Sequence, residues 1–198
     1  MDMDKMTGAA VLGRNVEAAV ATLQAVTGLG AAVDRAAQVV VASLKAGGKV
    51  LLCGNGGSAA EASHLAGELI GRYRQARRPY ACVCLPDSPG VMTCIANDFS
   101  YNEVFARQVA ALARRGDVLI VFTSSGASAN IAAALEAGRT AGAASIAFLG
   151  KSGGLCKDKA TVELLVPGQA TARIQEAHQV LLHTLCDLVE QGMGDAAA

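Results

Sequence analysis

Apolar residues occur along this chain in two rhythms. Short, mainly apolar runs stand at 50–53, 81–85, 118–122, 145–149 and 162–166, each bounded on at least one side by Gly, Pro, Asp or a similar breaker. Runs of that length and character predict strands buried on both faces, as in a parallel sheet. Between them the apolar positions recur at helical spacing over 102–113 and 129–141, with a shorter helical pattern at 154–158. A last helical pattern runs from Thr171, the expected N-cap, to about Glu190. Alternating strands and helices predict an α/β chain: a three-layer αβα sandwich around a five-stranded parallel sheet.

Two further helices are expected ahead of the first strand, over 15–27 and 31–46, separated by Thr27-Gly28-Leu29-Gly30 and stopped by Gly47-Gly48. They precede the sheet and so cannot be crossovers. Either they cover the sheet or they serve in oligomerisation. With no repeat and no linker, the chain reads as a single domain over 1–198, with a helical extension at 1–47 and a core at 48–194.

Composition narrows the function. Lys+Arg and Asp+Glu are both 17, and zero net charge argues against nucleic-acid binding, which needs a basic excess. Charged residues punctuate each candidate helix, so no membrane span is expected, and acidic residues at the start are unlike a signal peptide. Six cysteines without a C-x-x-C read as buried reduced thiols, which fits a cytoplasmic setting.

In open parallel sheets ligands bind beyond the carboxyl ends of the strands, which nominates the loops 54–58, 86–98, 123–128, 150–154 and 167–171. Two of these carry phosphate-binding chemistry. Gly54-Asn55-Gly56-Gly57-Ser58 bends from a strand into a helix whose first N–H groups and dipole favour an anion. Thr123-Ser124-Ser125-Gly126-Ala127-Ser128 groups hydroxyls around a glycine before another helix, with Ser128 as the expected N-cap. Neither is a Walker A, and the acid expected some 20 residues after a dinucleotide fingerprint is missing, so nucleotide binding is disfavoured.

His64 and Glu68 stand at i and i+4 on one helix face, a spacing that suits either a surface pair or two ligands of a divalent metal. The last helix adds Gln175, Glu176, His178 and His183. Gln175 and His183 are about 12 Å apart along the helix axis and roughly 80° around it, near the limit for sharing an ion. His178 is on another face from His183 and is expected at the surface or an interface. Spacing alone does not assemble a site from these residues.

Three stretches, CGNGGSAAEASHLAGELIGRYR, IANDFSYNEVFARQVAALARRGDVLIVFTSSGASAN and TARIQEAHQVLLHTLCDLVE, closely resemble the phosphoheptose isomerases of the sugar isomerase (SIS) family over nearly the whole chain. The resemblance implies a flavodoxin-like SIS fold whose N-terminal helices help to build a homotetramer. It implies isomerisation of sedoheptulose 7-phosphate to D-glycero-D-manno-heptose 7-phosphate in heptose biosynthesis, for lipopolysaccharide or other glycans. Zinc is the implied metal, with ligands falling on His64, Glu68, Gln175 and His183, and the acid–base pair falls on Glu68 and His183. Implied substrate contacts fall on Asn55, Gly56, Gly57, Ser58, Glu68, Asn97, Asp98, Thr123, Ser124, Ser125, Ser128 and Gln175.

Three features depart from the family pattern. Glu61 stands where relatives often have Asp, Ala127 replaces a common Asn, and 86–90 does not align with an Asp-x-Ser segment. The alternative is a non-catalytic SIS-domain regulator that binds a replication initiator or a sugar phosphate. Such relatives typically lack the residues matching Glu68 and His183, and this chain has both.

Overall fold

A computed structural model describes residues 7–194. Helices α1 (Gly8–Ala25) and α2 (Gly30–Lys45), joined by a 3-10 turn at Val26–Leu29, lead into the alternating part. There follow β1 (Val50–Gly54), α3 (Gly57–Ile70), β2 (Cys82–Cys84), α4 (Pro89–Asp98), α5 (Ala106–Leu112), β3 (Val118–Thr123), α6 (Ala129–Ala141), β4 (Ala144–Gly150), β5 (Val162–Val166) and α7 (Thr171–Met193).

The five strands form one sheet in the order β2-β1-β3-β4-β5, every pair parallel. Alternating residues of each strand face opposite layers. Val50, Leu52, Ile120, Phe122, Ile146 and Phe148 join the cluster built with α2, α3 and α7. Leu51, Cys53, Leu119, Val121, Ala147 and Leu149 join the cluster built with α4, α5 and α6. The expected three-layer α/β architecture is thus observed, with all of β1 and β3 buried.

The strand order reverses between β1 and β3. In such sheets the crevice at the reversal is where ligands bind. Register pairs Gly54 with Phe122, so the two Gly/Ser loops leave the sheet side by side.

The two N-terminal helices divide the alternatives between them. α2 buries Val33, Ala36, Ala37, Val40 and Leu44 against the core. α1 has no buried residue and leaves Leu12, Val16 and Val20 exposed. It also starts earlier than expected, because Thr7 in an extended conformation accepts a hydrogen bond from the Ala10 N–H at 3.3 Å. Contrary to the reading from charge positions, the run Gly8–Lys45 contains one 18-residue window with mean hydropathy 1.4, apolar enough by composition to cross a membrane.

Other boundaries move for local reasons. The stretch 86–98, expected as loop, contains α4, which starts with Pro89 in its first turn and turns Met92, Ile95 and Ala96 inward. The pattern at 102–113 resolves into a 3-10 turn, Tyr101–Glu103, and the shorter α5, with Val104 and Phe105 buried between them. Only a 3-10 turn, Gly154–Cys156, forms at 154–158. Thr171 is the first residue of α7, not its cap; Ala170 holds the cap position and no side chain bonds there. Ser128 does cap α6 in position, without a side-chain hydrogen bond.

All six cysteines are free. Burial pushes the Cys53 thiol up, with Cys84 and Cys156 nearby adding to it, and burial also raises those of Cys82 and Cys186 to about 12. Cys94 alone is exposed, and its hydrogen bond to Asp98 raises its pKa too. None is poised as a nucleophile at neutral pH.

Candidate active site

The loops after β1 and β3 enclose a small polar cavity of about 150 Å³ lined by Asn55, Ser58, Phe122, Thr123, Ser124, Ser125 and Ser128. At roughly 30 Å³ per water, that is room for several waters or one phosphate group. The sequence makes this cradle with glycines where the backbone crowds. A Cβ on Gly54 would lie 2.3 Å from the Ser58 carbonyl oxygen. Gly126 has φ +66°, and a Cβ there would lie 2.0 Å from the Gly153 carbonyl oxygen. Any side chain at either position would open the turn.

Hydroxyls hold the second loop in shape. The Gly126 N–H donates to Thr123 Oγ1 at 3.1 Å and the Ala127 N–H to Ser125 Oγ at 3.2 Å. Asn55 and Asn130 exchange two amide hydrogen bonds of 2.9 Å, and the Tyr101 hydroxyl donates to Asn55 Oδ1 at 3.0 Å. Asn130 and Tyr101 were not foreseen. The available signal for Asn130 was a polar residue in the first turn of a helix directly after a hydroxyl-rich loop.

A second group forms where α3 and α7 lie together. The His64 Nε2 is 3.2 Å from Glu68 Oε1 and 3.4 Å from His183 Nε2. One ligand atom from each of the three lies within 4.8 Å of the others. The two imidazoles meet edge to face with centroids 5.0 Å apart, and Tyr73 stacks on the other side of His183 at 5.6 Å and 18°. His64 is exposed, Glu68 and His183 partly so.

This donor set fits a divalent cation. Two imidazole nitrogens and a carboxylate oxygen are ligands of zinc and similar metals, and atoms about 2.0–2.1 Å from a tetrahedral centre stand roughly 3.3 Å apart. The observed separations of 3.2 and 3.4 Å match that spacing.

The remaining expected residues fall elsewhere. Gln175 lies beside Gly57, where a Cβ would meet its Nε2 at 2.2 Å, two turns of α7 before His183. It lines a cavity of about 310 Å³ with Gly57, Glu61, Ala172, Glu176 and Gln179. Asn97 and Asp98 are exposed at the end of α4 and hydrogen-bond each other at 2.8 Å, outside the lining of the hydroxyl-rich cavity.

His178 is fully buried, not at a surface. Its ring packs edge to face against Phe122 and Phe148, and its Nε2 is 3.2 Å from the Leu149 carbonyl oxygen. The Nδ1 faces the buried Glu61 carboxylate at 3.5 Å. The expectation failed because α7 is buried along more of its circumference than a surface helix, so a polar residue off the His183 face still points into the core.

Comparison with known proteins gives the family. The SIS domain family profile matches residues 15–150. The chain is 46% identical over 155 residues to the phosphoheptose isomerase of Roseiflexus sp. (strain RS-1), covering 78% of this chain and 79% of that one. It is 49% identical over 157 residues to the phosphoheptose isomerase of Paramagnetospirillum magneticum, covering 79% and 82%. A solved phosphoheptose isomerase from Francisella tularensis superposes with a TM-score of 0.90 at 34% identity, over 94% of this chain and all of that one (100%). The chain therefore belongs to the phosphoheptose isomerase family of SIS-domain proteins.

Proposed function

We propose that this protein is a ketose–aldose isomerase that converts sedoheptulose 7-phosphate to D-glycero-D-manno-heptose 7-phosphate, with Glu68 and His183 moving the proton. The observation that carries this reading is the convergence of Glu68, His64 and His183 from α3 and α7, with the other end of α3 lining the hydroxyl-rich cavity through Ser58. A regulator that only binds a sugar phosphate would need the cavity and would have no use for this convergence.

The reaction shifts a hydrogen between C1 and C2 through an enediolate. Glu68 takes the proton from the carbon beside the carbonyl and returns it to the neighbouring carbon. His183 exchanges the proton of the oxygen that changes from carbonyl to hydroxyl. Tyr73 against its ring and His64 against its edge limit the directions in which that imidazole can turn. Zinc held by His64, Glu68 and His183 would polarise the carbonyl and steady the developing oxyanion. The phosphate is bound by Ser124, Ser125 and Ser128 with Thr123, Ser58 and the backbone of Gly56 and Gly57. Asn55 borders it, held by Asn130 and Tyr101.

Length supports a site shared between copies of the chain. Ser58 and Glu68 are ten residues apart on α3, about 15 Å along its axis. From C1 to C7 an extended heptose spans only roughly 8 Å with carbon–carbon bonds near 1.5 Å. A second copy that brings its own α3 and α7 beside the first would close that gap, and would give Gln175, Asn97 and Asp98 a route to the substrate. The exposed apolar residues of α1 suit such an assembly, which we take to be a homotetramer. Sedimentation of active protein as a monomer would contradict this. The free cysteines suit a cytoplasmic enzyme supplying heptose for lipopolysaccharide or another glycan.

Isomerisation carried out in D2O tests the proton step. The expected result is deuterium at the carbon beside the carbonyl of both sugars. Conversion with no solvent deuterium in either sugar would remove Glu68 from its role as an exchanging base.

A further inference from the structure

The segment between α3 and β2 contains no helix or strand, yet it is held at many points. Near the end of α7 the buried carboxylate of Glu190 accepts the backbone N–H groups of Tyr73 at 3.2 Å, Arg74 at 3.2 Å and Gln75 at 3.3 Å. It also accepts Arg77 Nε at 2.9 Å. Both side chains of this ion pair are nearly dry, 2% and 6% exposed.

The Arg77 guanidinium does a second thing. Its other nitrogens donate to the carbonyl oxygens of Glu68 at 2.6 Å and Leu69 at 3.0 Å, in the last turn of α3. Those carbonyls have no partner within the helix, and a cation there also opposes the negative end of the helix dipole. The guanidinium lies 3.8 Å over the Tyr80 ring. Its fork thus joins the backbone of Glu68 to Glu190 on α7, a geometry that the point charge of lysine does not reproduce.

The same carboxylate that binds Arg77 suspends Tyr73 by its N–H, and the Tyr73 ring lies nearly parallel to the His183 imidazole. One ion pair therefore reaches both members of the proposed proton-transfer pair: Glu68 through its own carbonyl, and His183 through a stacked ring.

We propose that Arg77, Glu190 and Tyr73 form a positioning device that sets the Glu68-bearing end of α3 against α7 and fixes the plane of the His183 ring. These are positioning residues, since none touches the reacting atoms. The inference rests on the reading of Glu68 and His183 given above, and it is tested by measurements that need no sugar.

The test uses the full chain with Tyr73→Ala, Tyr73→Phe, Arg77→Lys and Glu190→Gln. Two quantities are read: affinity for Co2+ added to metal-free protein, and the ring-proton NMR signal of His183, identified by its loss in His183→Gln. Tyr73→Ala should remove the ring-current displacement of that signal and weaken Co2+ binding about tenfold, the lower end of what losing an outer-sphere support costs. Tyr73→Phe should restore both. Arg77→Lys and Glu190→Gln should move both quantities in the same direction as Tyr73→Ala, and in turnover should lower kcat more than they raise KM. Tyr73→Ala with wild-type Co2+ affinity and an unmoved His183 signal would overturn the device. Should Glu190→Gln fail to fold, the Tyr73 pair decides alone. Loss of the His183 and Co2+ effects refutes the device, whereas inactivity of the wild-type protein on the sugar refutes the functional reading.

Discussion

The hydroxyl-rich cavity between β1 and β3 and the His64–Glu68–His183 cluster are made from different materials. The cavity is bounded by fully buried strand ends, by glycines that admit no side chain, and by hydroxyls bonded to their own loop. The cluster consists of side chains on two helices, partly open to solvent, brought together where α3 packs against α7. Backbone built into a sheet edge suits an anion that must be held but not changed. Titratable side chains suit the end of the substrate where a proton moves.

The difference predicts different consequences for equally small substitutions. Glu68→Gln, one atom exchanged in the cluster, should lower kcat by about 10²–10⁴-fold, the range for losing a general acid–base group. Circular dichroism and oligomer size should not change. Turnover near the wild-type level would take Glu68 out of the chemistry. Chelation should act on the same region: metal analysis is expected to find about one zinc per chain, and its removal should abolish activity until Zn2+ is returned. Full activity of metal-free protein would take the metal out of the cluster's role.

Substitutions in the cavity should act on binding. Ser124→Ala or Ser125→Ala removes one hydrogen bond to a charged phosphate, about 1.5–3 kcal/mol, and so should raise KM roughly tenfold or more with little change in kcat. Unchanged KM in both would move the phosphate elsewhere.

The two regions were not equally legible. Glycines and hydroxyls crowded into 54–58 and 123–128 announce a turn and its ligand chemistry within a few residues, and the apolar runs around them predict the strands that bring the turns together. His64 and Glu68 are legible as neighbours because a helix places i and i+4 on one face. His183 is 119 residues from His64, and no local pattern states that α3 and α7 lie side by side; that connection came from the family resemblance. The same resemblance joined Gln175 to the metal, while within one chain Gln175 lies beside Gly57. What escaped altogether was tertiary: the burial of His178, the Asn55–Asn130 amide pair, and the approach of Tyr73 to His183.

The smallest expected effect concerns stability. Burial would raise the pKa of Glu190, but Arg77 and the N–H groups of Arg74, Gln75 and Tyr73 outweigh it and hold the carboxyl below its usual value. Burial opposes Asp117 too, and Lys49 at 2.5 Å with the Lys49 and Arg114 N–H groups wins there. A carboxyl lowered in the folded state contributes stability that is fully present above its unfolded pKa, near ~4, and is lost as pH falls through the folded value. The melting temperature should therefore hold from neutral pH to about 5 and drop below about 4. Asp117→Asn and Glu190→Gln should start lower and fall less steeply; an unaltered acid slope in both would remove these two carboxylates from the account.

The central claim is that the cradle and the cluster together isomerise one phosphorylated seven-carbon sugar. Incubating the zinc-loaded protein with sedoheptulose 7-phosphate and following the anomeric region by NMR tests it most directly. The account predicts signals of D-glycero-D-manno-heptose 7-phosphate growing to an equilibrium with the ketose, and none with Glu68→Gln. Sugar that binds, seen by broadened phosphate resonances, and remains ketose indefinitely would contradict it.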